Sequence, residues 1–335
     1  MPRRRIDSSL AWMPARVYIQ RDKYVYQPKS GGKITLCKIS EGKLACIKRY
    51  EQVVESMDDR KLFKRVIDLF FASDAFKRLS VRTRKDYEVY RPVIVSAFGK
   101  MRPNAIQPHH VRLFMDKLAK SKGTVAKPAN ATANRHKALM QKICSWAYER
   151  GKIKINPCVG VVKLHEQSRS RYITDKEYEA IYDAAVPSCR VAMEISYLCM
   201  ARISDVVNLK MNNILDEGIY IEQGKTGKKQ IKLWSERLRK AVDDAKALPC
   251  KPGMFTMFLF NKPDGSRYAV RAIQAQYKKA CVLAGVEGVT LHDLKSKAIS
   301  DFEGTLQEKQ DAAGHSNSAM TQKYDRKIKH VRSVK

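Results

Sequence analysis

Apolar and polar residues alternate along residues 16–38 in the manner of strands. "RVYI" and "KYVYQP" flank the polar turn Gln20–Lys23, and "KSGG" leads into "KITLCKI". Gly31 and Gly32 suit a turn that needs positive φ. The period then lengthens to that of a helix. In "EGKLACIKRYEQVVESM", 41–57, Leu44, Ile47, Tyr50 and Val54 fall at helical spacing. The pattern predicts a three-stranded sheet and one helix. That core is thin enough to expect a tethered module rather than an independent domain.

Helical spacing dominates residues 60–150. "KLFKRVIDLFFAS" sets Leu62, Val66, Leu69 and Phe70 on one side. "TRKDYEVYRPVIVSAFG" has a weaker stripe, and Pro92 is expected to kink it or to start a new turn. "QPHHVRLFMDKLAKS" places Pro108 at a first helical position, followed by Val111, Phe114, Met115 and Leu118. "NATANRHKALMQKICSWAYERG" runs from an Asn130 cap to Gly151, a residue suited to a helix C-terminus. Four or five such helices make a compact bundle.

"GKIKINPCVGVVKLHEQSRSR" (151–171) has Gly, Pro and charge but no long period, and reads as a linker. "ITDKEYEAIYDAA" then opens with Thr174 and Glu177 at capping-box spacing. Further helical patterns follow in "RVAMEISYLCMA", "ERLRKAVDDAKAL" and "YAVRAIQAQYKKACVLAG". Between them, 219–234 alternates on both sides of Gly224–Lys229, as a β-hairpin does. The expected fold class is mainly α with small β-sheets (α+β). Expected boundaries are a module at 1–58, a helical bundle at 59–155, a linker at 156–172 and a mostly helical domain at 173–335.

Charge narrows the function. The 335 residues carry 65 Lys+Arg against 34 Asp+Glu, a formal net charge of +31. An excess that large repels itself in a compact chain unless it serves a polyanion, with nucleic acid first and an anionic membrane surface second. No run of 18 or more apolar residues exists, so no spanning helix is expected. The basic start "MPRRRIDSSLAWMPARVYIQ" lacks an apolar signal core. An intracellular location follows as the expectation. The eight cysteines form no C-x-x-C pair, and several lie among apolar neighbours, so buried thiols are expected rather than disulfides or zinc ligands. His109, His110 and His165 are not spaced with Cys or carboxylates as a metal site would be. They read as linker or DNA-facing residues, and no cofactor is expected.

Four short segments of the last domain carry candidate chemistry. "LCMARISDVVNLKMNNI" holds Arg202 and Asp205, and "EQGKTGKK" holds Lys225 at a hairpin tip. "LHDLKSKAISD" holds His292 and Lys295. "AAGHSNSAMTQKYDR" holds His315 and, nine positions on, Tyr324. Their order and spacing resemble the tyrosine recombinases, and among them the phage integrases. "ARISDVVNL" matches the family's Arg-x-[Ser/Thr]-[Asp/Glu] motif, "GKTGKK" its hairpin lysine, and "GHSNSAMTQKY" its Gly-His and tyrosine. "HDLK" departs from the family's His-x-Leu-Arg at its last place, so Lys295 stands where relatives carry a second arginine. Less specifically, the bundle resembles the family's core-binding domain and residues 1–58 the arm-binding module of lambda-type integrases.

The resemblance implies a strand-transfer reaction without hydrolysis. Tyr324 would attack a phosphodiester and form a 3′-phosphotyrosyl bond, freeing a 5′-hydroxyl that later attacks back. Arg202 would clamp a non-bridging oxygen, with Asp205 orienting it. Lys225 would protonate the leaving oxygen. His292 and His315 would hydrogen-bond the phosphate or move the tyrosine proton. Lys295 would face the phosphate as a point charge.

The resemblance further implies double-stranded DNA with core and arm sites as partner and a homotetramer on that DNA. Basic surfaces would form a C-shaped clamp around the duplex, in the cytoplasm of a bacterial host near its nucleoid. A DNA-bending host protein and an excisionase-type directionality factor are expected by analogy. Plainer readings stand beside these. Tyr324 is one of 15 tyrosines, Arg202 and Asp205 can be a surface ion pair, and Lys225 can be solvated beside Lys228 and Lys229. His315 can be a helix cap. The departure at Lys295 motivates a second function, a recombinase-like DNA-binding protein with weakened catalysis. A third is a type IB topoisomerase-like relaxing enzyme. The basic tail "DRKIKHVRSVK" is either solvated or docked on a neighbouring protomer.

Overall fold

The computed structural model describes residues 8–28, 31–57, 62–122, 124, 128–254, 256–328 and 333, with the side chains of 55–57 set aside. The basic start and most of the tail after Ile328 lie outside the described residues. The chain divides into two compact units, Met1–Gln167 and Ser168–Lys335.

The first unit opens with an antiparallel meander of β1 (Val17–Gln20), β2 (Lys23–Tyr26) and β3 (Ile34–Lys38). Gln20 pairs with Lys23, so the first turn is Arg21-Asp22, with Arg21 at φ 57°. Gly31 and Gly32 adopt φ 88° and 80°, as the turn into β3 requires. Helix α1 (Gly42–Met57) covers the sheet, but on a different line from the expected one. Cys46 is fully buried with Ala45, Tyr50 and Val53 against the sheet, whereas Leu44 is 84% exposed and Val54 is exposed too. Tyr50 meets Tyr26 edge-on at 5.1 Å, and the small Cys46 lets the helix approach closely.

The bundle comprises α2 (Phe63–Ala72), the short α3 (Asp74–Lys77), α4 (Val81–Phe98), α5 (Pro108–Lys122) and α6 (Asn130–Glu149). The buried stripe of α2 centres on Phe63, Val66, Ile67 and Phe70, while Leu62 and Leu69 are only half-buried. Each fully buried side chain of this size contributes roughly 1.5–3 kcal/mol. Helix α4 continues as one element through Pro92, so no new turn starts there. Its buried residues Ile94 and Phe98 lie beyond the proline. Arg91 fastens the same stretch to Asp68 at 2.9 Å and stacks on Phe71. Pro108 is the first residue of α5. Asn130 does not cap α6: Ala129 holds that position, and the Asn130 amide donates to the His165 carbonyl. The unstructured 161–165 strip is thereby pinned. Asn134 bonds both the amide and the carbonyl of Leu164, and Arg112 donates to the Val162 carbonyl at 2.8 Å.

In the second unit, Thr174 and Glu177 form the capping box that starts α7 (Asp175–Ala184). Helix α8 (Pro187–Leu198) is buried on nearly all sides, as a central helix must be. It packs on α10 (Glu236–Lys246), α11 (Val270–Leu283) and α12 (Asp293–Asp301). Short α9 (Ile203–Val206) follows α8. The hairpin of β4 (Gly218–Glu222) and β5 (Lys229–Leu233) pairs from Gly218↔Leu233 to Glu222↔Lys229. Helices α13 (Leu306–Ala313) and α14 (Ser318–Tyr324) complete it. Of the eight cysteines, all but Cys250 are buried, and no disulfide joins them.

Candidate active site

The tight turn after α8 leaves Met200 at φ 50° and puts Arg202 at the N-cap of α9. Its guanidinium donates to Gln223 Oε1 at 2.9 Å and lies 4.0 Å from Asp205 Oδ2. Asp205 is buried, and its Oδ1 accepts the Gly224 amide at 3.2 Å, joining α9 to the hairpin turn. Asp205 therefore braces the turn as much as it orients Arg202, while the closer partner of the guanidinium is Gln223.

Lys295 is 1% exposed, and among the described residues its ammonium donates only to the Ala313 carbonyl, at 3.1 Å. Burial, with the nearby Arg202 and Lys232 cations, pushes its pKa down to about 7, and Asp205 opposes that shift. His315 is also buried. Its Nδ1 pairs with Thr321 Oγ1 at 3.1 Å, and its Nε2 is buried with no partner. Burial, Lys295 and Arg202 lower its pKa to about 4, so the ring is neutral at physiological pH.

His292 precedes α12, and its Nε2 lies 2.9 Å from the Tyr324 hydroxyl. Desolvation, with Arg202 and Lys295 nearby, lowers the His292 pKa. Neighbouring residues hold this pair together. Buried Asp293 accepts from the Thr290 amide and hydroxyl and from Arg326 Nη1 at 2.7 Å. Arg326 lies two residues past Tyr324, and its amide donates to Ser300 at 2.7 Å. One buried carboxylate thus ties the start of α12 to the end of α14.

The geometry places Arg202 and Lys295 beside the uncompensated imidazole of His315, with Tyr324 against both histidine rings at 5.6 and 5.0 Å. Lys225 is not joined to this set. It stands exposed on the 224–227 turn with no hydrogen bond among the described residues. One buried carboxylate, Asp205, set against Arg202, Lys295 and Lys232 favours an anion.

The model of the phage integrase family matches residues 171–330, which span every one of these side chains. Residues 171–330 are a phage integrase family domain. The integrase of Escherichia phage HK022 is 24% identical over 212 residues, covering 60% of this chain and 59% of that protein. The integrase of Enterobacteria phage 434 is 28% identical over 198 residues, covering 53% of each. The chain thus spans little more than half the length of these phage relatives. Tyrosine recombinase XerC of Proteus mirabilis is 28% identical over 278 residues, 74% of this chain and 84% of that one. Among solved structures, a lambda integrase tetramer bound to a Holliday junction superposes with a TM-score of 0.70 at 18% identity, covering 99% of each chain. The Tn1549 transposon integrase with a circular intermediate DNA gives 0.65 at 16%, over 79% of this chain and 94% of that one.

Within this integrase-family domain, motif reasoning missed Gln223, Gln230 and Lys232. A signal for the first was present. Ile219, Ile221 and Gln223 share one face of the hairpin strand and are all buried, so the alternation puts an amide at a core position.

Proposed function

We propose that the protein is a site-specific DNA recombinase of the integrase type that cuts and rejoins duplex DNA through a 3′-phosphotyrosyl intermediate. The observation that carries this reading is the Tyr324 hydroxyl at 2.9 Å from His292, beside buried cations that outnumber their one carboxylate, Asp205. The Tyr324 oxygen forms a bond to the scissile phosphorus while the bond from phosphorus to the 5′-oxygen breaks. His292, kept neutral by its lowered pKa, accepts the phenol proton. Arg202, Lys295 and the free Nε2 edge of His315 receive the non-bridging oxygens. Lys225, on its exposed turn, delivers a proton to the leaving 5′-oxygen. The freed hydroxyl, or its counterpart in a second duplex, reverses the step.

Double-stranded DNA is the partner, read at core sites by the bundle and catalytic domain and at arm sites by the N-terminal module. Four copies act on one junction, with a DNA-bending host protein and an excisionase-type factor as accessories, in a bacterial host cell. Binding falls steeply with salt, because a chain at +31 releases many counterions. A nicked suicide duplex bearing an attachment site flanking the gene tests the reading. The wild type traps a covalent protein–DNA adduct, whereas Tyr324→Phe traps none and binds DNA within about twofold of wild type. DNA binding without an adduct in wild type would leave only a recombinase-like binding protein. Relaxation of supercoils without site preference would favour the topoisomerase-like reading.

A further inference from the structure

The C-terminal end of α13, which delivers Gly314 and His315, is bolted to the hairpin by side chains. The last carbonyls of a helix have no partner within it. Here Gln230 Nε2 donates to the Asp311 carbonyl at 2.6 Å, Lys232 to Ala312, and Gln223 Nε2 to Ala313 at 3.0 Å. The Ala313 carbonyl also accepts Lys295. Gly314 sits at φ 66°, and a Cβ there would lie 2.3 Å from Gln223 Nε2. The amide thus presses directly on the backbone that precedes His315.

Gln223 differs from the other two in what its second atom does. Its Oε1 accepts from Arg202 Nη1 at 2.9 Å and from Thr226 Oγ1 at 3.1 Å. The side chain is 5% exposed, so neither atom has water as a substitute. One amide therefore spans from the Arg202 guanidinium to the carbonyl that holds Lys295. Its own backbone bonds Lys228 and the amides of Thr226 and Gly227, closing the turn that carries Lys225.

We propose that Gln223 is a positioning residue for strand cleavage, setting Arg202, Lys295 and His315 at one spacing and coupling them to the Lys225 turn. The inference rests on the recombinase reading above and adds a residue to it. An amide suits the task because it presents an acceptor to a cation and a donor to a carbonyl without carrying charge. A carboxylate in its place would neutralise Arg202 and face the Ala313 carbonyl without a proton.

The test is single-turnover cleavage of the nicked duplex at saturating DNA, with DNA affinity and melting temperature measured alongside. Gln223→Met, of equal length, should cleave about 30- to 100-fold more slowly with affinity within twofold. In a Lys295→Met background the same change should slow cleavage no more than about threefold further, because the spacing it protects is already lost. Gln223→Glu gives a second route should the Met variant melt early. A protonated carboxylic acid has the amide's donor and acceptor, so its rate relative to wild type should recover as pH falls. Cleavage by Gln223→Met within threefold of wild type would overturn the inference and leave the recombinase reading intact. So would equal losses in both backgrounds, or a pH-independent Gln223→Glu ratio. A wild-type chain that forms no adduct would overturn both.

Discussion

Lys295 and Lys297 are two residues apart on α12, are 1% and 2% exposed, and have been treated in opposite ways. Lys297 is fully compensated. Its ammonium pairs with Asp301 at 2.9 Å and with Asp175, and it lies over the rings of Tyr172, Tyr178 and Tyr197 at 5.1, 6.0 and 5.7 Å. Burial lowers its pKa, but the two carboxylates outweigh that and the net shift is upward. Lys295 has one carbonyl, two neighbouring cations and a pKa brought down to about 7. A buried charge lacking a partner is costly. The first lysine has its anions built in and locks helices together. Under the proposed recombinase function, the second receives the scissile phosphate.

Lys297 contributes stability that is fully present below the ordinary lysine pKa and is lost as pH rises through its raised value. Lys295 costs stability throughout the range below about pH 7, and the cost shrinks as pH rises from 7 toward 10.5. The sharpest way to break the comparison is therefore to replace each ammonium by methionine. Lys295→Met should slow strand cleavage by several hundredfold, about 3–4 kcal/mol of transition-state stabilisation, while DNA affinity stays within about twofold. Its urea midpoint at pH 7 should be equal to or above that of wild type. Lys297→Met should do the reverse. It should lower unfolding stability by about 2 kcal/mol by taking the nearest cation from half-buried Asp301, which keeps only Lys327 at 3.9 Å, while folded protein at low temperature cleaves within about threefold of wild type. A destabilised Lys295→Met, or a Lys297→Met that folds normally and fails to cleave, would show that the roles are exchanged.

The sequence could not tell these two lysines apart by pattern. The motif "HDLK" singles out Lys295 through resemblance alone. The cage around Lys297 was invisible, because Asp175, Tyr172 and Tyr197 come from elements far away in the chain. The same limit hid Gln223, Gln230 and Lys232, whose partners are carbonyls of α13 about eighty to ninety residues distant. Local signals did better. The Thr174–Glu177 capping box, Pro108 at a helix start, Gly31–Gly32 and the 219–234 hairpin are encoded within a few residues, and each formed. Stripe phase was read less well where an element has one small neighbour to pack on. On α1, Cys46 faces the sheet and the larger Leu44 does not, since a close approach favours the smaller side chain. Pro92 starts no new turn inside α4, because fastening by Arg91 and the downstream anchors Ile94 and Phe98 outweighs one missing hydrogen bond.

The smallest effect expected concerns whether an ammonium serves where relatives carry a guanidinium, and pH separates the two. Lys295 in the free protein has a pKa of about 7, so at pH 9 most molecules hold it neutral. An arginine does not titrate in this range. At subsaturating DNA the cleavage rate reports the protonation state of the free protein. At pH 6 Lys295→Arg should cleave within about threefold of wild type. Any difference there reflects the fit of a bulkier fork into a site with 1% exposure. Between pH 7 and 9 the ratio of Lys295→Arg to wild type should climb by about tenfold or more, on the order of 1.4 kcal/mol. A flat ratio would mean that Lys295 is not the group whose charge the phosphate requires, and the contrast with Lys297 would then concern stability alone.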